Sequence, residues 1–137
     1  MTPLLDQAAM AGSVRAFNRE ITASGAQTVL FLTWARQHSP QSQAQISAAY
    51  QALGRELGAL VAPVGVAWAR AGQLDPSIGL YAPDQSHPAP AGAYLTASVF
   101  YATLFGRSPA GLDALGAVTA EQARTLHDAA WWAVKPR

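Results

Sequence analysis

The chain has 137 residues and a mass of 14.4 kDa, the size of one domain with its own core. Half of the residues are hydrophobic and 12% are charged, which excludes a disordered chain, and a net charge of +1 supplies neither a basic field for nucleic acid nor an acidic tail. Cysteine is absent, so disulfide scaffolds, cysteine nucleophiles and thiolate metal sites are excluded. Eight of the nine basic residues are Arg and alanine is abundant, a composition in keeping with GC-rich bacterial coding. The most apolar run, Thr28 to Ala35, is far shorter than the roughly 20 residues of a membrane-spanning helix. The N-terminus lacks a basic segment followed by an apolar one, so no signal peptide is expected. These features predict a soluble chain with no membrane or nucleic-acid partner, and they leave its compartment open.

In chain order, Leu4 to Ser24 reads as a helix. Val14, Phe17 and Ile21 recur at helical spacing on an inward face, and Gly25 is a suitable stop. Thr28 to Trp34 is short, apolar and partly β-branched, and reads as a strand buried on both faces. A polar loop, Ala35 to Pro40, leads to a helix from Gln41 to Leu60. Ile46, Tyr50, Leu53, Leu57 and Leu60 form its stripe. Val61 to Trp68 reads as the second strand, with Pro63 near its start and Gly65 marking close backbone approach. A long loop rich in Pro, Asp, Ser and Gly runs from Gly72 to Pro90; loops of that length are often functional. Gly92 to Phe105 is a helix with Leu95, Val99, Ala102 and Phe105 inward and Gly106 as its stop. The last helix opens at Thr119, with Gln122 at the capping-box position, and runs to about Lys135.

The order α-β-α-β-loop-α-α implies a parallel sheet with helices on its faces. Two strands are few for such a sheet, whose usual count is about five. The pattern therefore predicts a partial sheet whose missing strands lie on the N-terminal side.

The one dense chemical constellation lies in the long loop, at Asp84-Gln-Ser-His87-Pro88. The spacing allows the carboxylate to accept the Nδ1 proton of the imidazole. The acid would then fix the tautomer and leave Nε2 as a general base. Pro88 and Pro90 would stiffen the turn. A D-x-x-H spacing alone is common, and its plainer reading is an Asp that caps a turn beside an exposed histidine. The loop length, the prolines and a position after a strand end, where open α/β sheets place their sites, weigh toward the chemical reading.

Asp84-Gln-Ser-His87-Pro88 followed by Ala-Gly92-Ala-Tyr94-Leu95 resembles the last block of the SGNH (GDSL-type) hydrolases, in which Asp and His complete a Ser-His-Asp triad. Thr33-Trp34 after the first strand, and Ala62-Pro63-Val64-Gly65 with Ala67-Trp68, are similar to one bacterial branch of that superfamily. The resemblance covers about Phe17 to Leu112. It implies a three-layer α/β/α, flavodoxin-like fold, with His87 as base and Asp84 as its orienter. It also implies serine-ester hydrolysis of acyl or carbohydrate esters, without metal or cofactor.

The departure of the chain from that superfamily is large. The Gly-Asp-Ser or Gly-Asn-Ser nucleophile block and the Gly and Asn blocks of the oxyanion hole are not recognisable. Gly12-Ser13 lies inside a helical pattern with no strand before it, and Ser86 lies inside the acid–base loop itself. An Asp–His pair without an aligned hydroxyl forms no acyl-enzyme. The expectation is a C-terminal SGNH portion that is inactive by itself and acts on a small ester once an N-terminal half completes it. The alternative is a non-catalytic module that associates, with itself or with a separate half, through an exposed sheet edge.

Other residues carry plainer expectations. His38 reads as a solvated loop residue; a two-His-one-carboxylate metal set with Asp84 and His87 matches no recognised spacing. His127 reads as a surface residue. Trp34 and Trp68 read as core or cleft wall, and Trp131-Trp132 as the packing face of the last helix with one ring exposed.

Overall fold

A computed structural model of the chain describes residues 6–113 and 116–136. The first helix, α1, spans Gln7–Ala23, and Asp6 caps it by accepting a hydrogen bond from the Ala9 N–H at 2.8 Å. Gly25 follows its end at φ +84°, a left-handed conformation that suits glycine, as expected of a stop. The expected start at Leu4 lies outside the described residues. Met10 is buried and Val14 half-buried against Leu30 and Leu53. Phe17, expected on the inward face, is 66% exposed. Its spacing puts it on the Met10 stripe, but α1 packs chiefly on one other helix, which leaves that part of the stripe uncovered.

The strands are β1, Val29–Phe31, and β2, Leu60–Ala62, paired in parallel with Leu30 opposite Val61. They form a two-stranded sheet. The run expected as a strand from Thr28 to Trp34 is thus mostly irregular. Leu32 is fully buried beyond its end, but Phe31 is 41% exposed, so β1 is not covered on both faces. Between the strands, a 3-10 turn at Pro40–Ser42 leads into α2, Gln43–Leu57. Ile46 and Leu53 are its buried stripe, and Gly58 ends it at φ +62°.

The largest departure from expectation is Val61 to Trp68. Only Leu60–Ala62 is strand; Val64–Leu74 is a helix, α3. Proline lacks the N–H a ladder requires, and Pro63 instead stands at the helix N-cap. A short apolar run cannot be assigned to strand or buried helix by periodicity alone. The close approach expected at Gly65 is present: a Cβ there would lie 2.1 Å from the Thr33 carbonyl oxygen.

The remaining helices are α4, Pro90–Phe105, and α5, Ala120–Val134. They pack with α3 around Val64, Trp68, Leu95, Val99, Leu126 and Ala129, the main core. Gly92 lets α4 approach closely, since a Cβ would meet the Leu80 carbonyl oxygen at 2.3 Å and the Trp68 ring at 2.7 Å. Phe105, expected inward, is 65% exposed; it sits in the last turn, past the buried Ala102 and next to the left-handed Gly106. Thr119 and Gln122 form the expected capping box, with bonds of 3.1 and 3.0 Å. Trp131 and Trp132 are both half-buried, and the Arg70 guanidinium lies 4.9 Å from the Trp132 ring centroid. His127, expected at the surface, is buried, because α5 is covered by both α3 and α4. The fold is therefore mixed α/β and mostly helical, with one small parallel sheet among the described residues. No described helix is long and apolar enough to cross a membrane.

Candidate active site

The Asp84–His87 turn begins with a short antiparallel bridge between Tyr81 and Pro88. The Ala82 N–H donates to the His87 carbonyl at 2.8 Å, the Gln85 N–H to the Ala82 carbonyl at 2.9 Å, and the Ala89 N–H to the Leu80 carbonyl at 2.8 Å. Within this frame Asp84 divides its two oxygens. Oδ1 accepts the N–H groups of Ser86, at 3.0 Å, and His87, at 2.9 Å. Oδ2 meets His87 Nδ1 in a close hydrogen-bond contact. One oxygen shapes the backbone and the other holds the ring. The tightness of the turn puts Gln85 at φ +61°, the one left-handed non-glycine residue among those described.

The charge state follows from these bonds. The hydrogen bond from His87, then those from the Ser86 and His87 N–H groups, lower the Asp84 pKa from 3.8 to about 2. An ionised carboxylate only accepts, so Nδ1 must carry the proton of this contact. In the neutral ring Nε2 then keeps its lone pair, and it has no partner among the described residues. The His87 side chain is 80% exposed, so this nitrogen can be reached by another group. A ring held in this way can serve as an oriented general base.

Two residues beyond β1 tie the turn to the sheet. The Trp34 indole N–H donates to the Ser86 carbonyl at 2.9 Å, and the Gln37 N–H to the Gln85 carbonyl at 2.9 Å. Trp34 stacks on Trp68 at 4.0 Å and 7°, and Trp68 meets Tyr81 edge-on at 4.9 Å. The Tyr81 hydroxyl closes the frame by donating to the Ala35 carbonyl at 2.6 Å. Burial of Tyr81 raises its pKa, which favours its remaining a donor. The loop follows helix α3 rather than a strand, contrary to expectation; these tertiary bonds bring it to the carboxyl end of β1. Trp34 and Trp68 are half-buried and buried, as expected, but the indole N–H of Trp34 as a clamp on the turn was not legible.

The other expected residues do not join the site. His38 is exposed in the turn after Gln37. Among the described residues, no group of three or more His, Asp or Glu could hold a metal ion. Gly12-Ser13 lies on the exposed side of α1, and the Ser86 N–H is held by Asp84. His127 makes a separate pair: its Nε2 shares a 2.9 Å hydrogen bond with the Tyr94 hydroxyl between α5 and α4. No family model, curated protein or solved structure matches the chain.

Proposed function

We propose that this chain is the acid–base portion of an SGNH-type ester hydrolase, on a flavodoxin-like three-layer frame of which it supplies two parallel strands. His87 acts as the base and Asp84 as its orienter, and the substrate is an acyl or carbohydrate ester. The observation that carries this reading is the Asp84–His87 contact, which leaves an exposed Nε2 outward on a turn tied to the end of β1. In this mechanism Nε2 takes the proton of a serine hydroxyl as it attacks the ester carbonyl. Asp84 stabilises the imidazolium that results, and the proton then passes to the leaving alkoxide. No described serine hydroxyl is bonded to His87, so the attacking serine and the oxyanion-hole donors are assigned to other polypeptide, and the chain alone is inactive.

Hydrolysis of short aryl esters tests this. The chain alone should show no His87-dependent turnover. Joined to or mixed with a segment carrying a Gly-Asp-Ser block, it should hydrolyse the ester, and activity should vanish in His87→Ala and in the Ser→Ala segment. Absence of His87-dependent hydrolysis in every combination sinks the reading.

A second reading is favoured by one observation. Thr28 and Leu32 turn their peptide groups to β2, so Val29 and Phe31 turn theirs to the opposite edge, where Phe31 is 41% exposed. On this reading the chain associates through that edge as a non-catalytic module. A monomer by analytical ultracentrifugation, unchanged by Phe31→Lys, would count against it.

A further inference from the structure

We infer that a cleft between α3 and the 75–81 segment binds an uncharged, largely apolar group, the acyl part of the ester. The identification as an ester rests on the hydrolase reading; the binding of an uncharged apolar group does not.

The cleft has a volume of about 540 Å³, within the range of small-molecule sites, roughly 300–1,000 Å³. None of the described residues lining it is charged. Its apolar walls include Trp68, Ile78, Leu80 and Tyr81. Two of its polar groups are already engaged. Gln43 accepts from the Ala35 N–H at 2.7 Å and donates to the Thr33 carbonyl at 3.1 Å, while the Tyr81 hydroxyl is bound to the Ala35 carbonyl. Among the side chains, an entering ligand therefore meets apolar surface and the exposed amides of Gln37 and Gln73. An ionised group would lose its water there without gaining a counter-charge. An acyl chain loses nothing of that kind and gains burial.

The cleft and the acid–base turn share walls. Tyr81 lines the cleft and bridges Pro88, the neighbour of His87, while Gln37 lines it and binds the Gln85 carbonyl. A group seated in the cleft thus lies against the residues that hold the turn.

The test is an NMR titration of the intact chain with butyranilide, a neutral amide mimic of an aryl ester, and separately with butyrate. Saturable shifts centred on Trp68, Ile78 and Tyr81 are expected, with butyrate at least tenfold weaker. Gly72 lies on the cleft's α3 wall, and a Cβ there meets nothing within 4 Å, so Gly72→Leu can fill the space inside a helix. Gly79→Leu fills it from the other wall on the same ground. Both variants should keep their circular dichroism and weaken butyranilide binding at least tenfold. His87→Ala should leave binding unchanged. No saturable shift, equal binding of butyrate, or full binding by both filled variants overturns the site. Binding by butyranilide with no His87-dependent hydrolysis in the complemented assay leaves the site standing and overturns the hydrolase reading alone.

Discussion

Two histidines in this chain are each held by one oxygen, in opposite surroundings. His87 lies in a loop with its side chain 80% exposed and meets a carboxylate. His127 lies in a helix, is 4% exposed and meets the Tyr94 phenol. At the first, charge is retained: Asp84 is kept ionised to about pH 2 by its hydrogen bonds, and water reaches the ring. At the second, burial lowers the imidazole pKa, and Asp128 only partly offsets that. A buried ring bonded to a phenol serves packing, whereas an exposed ring held by an acid is open to a reacting group. The environment, not the residue type, separates the two roles.

The largest expected effect is on the buried member. His127→Ala removes a buried side chain and leaves the Tyr94 hydroxyl without its partner. It should cost roughly 2–4 kcal/mol in urea unfolding, the range for truncating a large core side chain. Asp84→Asn should lower the unfolding midpoint less, because its hydrogen-bonded carboxylate is exposed and water screens its contribution. An equal loss from both variants would erase the contrast.

Acidity should separate the pairs next. His127 is depressed below 6.5 when folded, so its contribution to stability is complete above the unfolded value. As the pH falls through 6.5 the unfolded chain binds a proton that the folded chain refuses, and stability drops until His127 is protonated in both. Asp84, at about 2 when folded against 3.8, contributes fully above 3.8 and loses that contribution as the pH falls toward 2. Unfolding free energy measured against pH should therefore lose its upper step in His127→Gln and its lower one in Asp84→Asn.

Trp34→Phe keeps an aromatic ring beside Trp68 but deletes the donor to the Ser86 carbonyl. A neutral hydrogen bond contributes about 1 kcal/mol, so the stability loss should be near that. The sharper readout is Asp84, whose NMR titration midpoint should rise from about 2 toward 3.8 as the turn loosens. A midpoint that stays put would show that the turn holds itself without Trp34. The smallest effect is at Gln85, where φ is +61°. Gln85→Gly relieves a left-handed residue but frees the unfolded chain, so a gain of at most about 1 kcal/mol is expected.

Where local chemistry decided, the sequence was legible. The Thr119–Gln122 capping box, the stops at Gly25 and Gly106, and the Asp84–His87 juxtaposition are all interactions within a few residues. Where burial by distant elements decided, it was not. The run after Pro63 is apolar enough for either a strand or a buried helix, and its contacts with α4 and α5 are formed far along the chain. Phe17 and Phe105 match helical stripes yet face no covering element among the described residues, while His127 matches a polar helix face yet is covered from two sides.

The sequence by itself determined the places where the backbone turns and caps and the acid–imidazole pair that a tight turn creates, because those depend on dihedral preferences and short-range hydrogen bonds. Only the tertiary structure decided that this turn is carried to the end of β1 by Trp34 and Gln37, and that an uncharged cleft opens beside it. Such contacts join residues some fifty positions apart, as Trp34 and Ser86 are, and no local pattern encodes which distant surface will meet them.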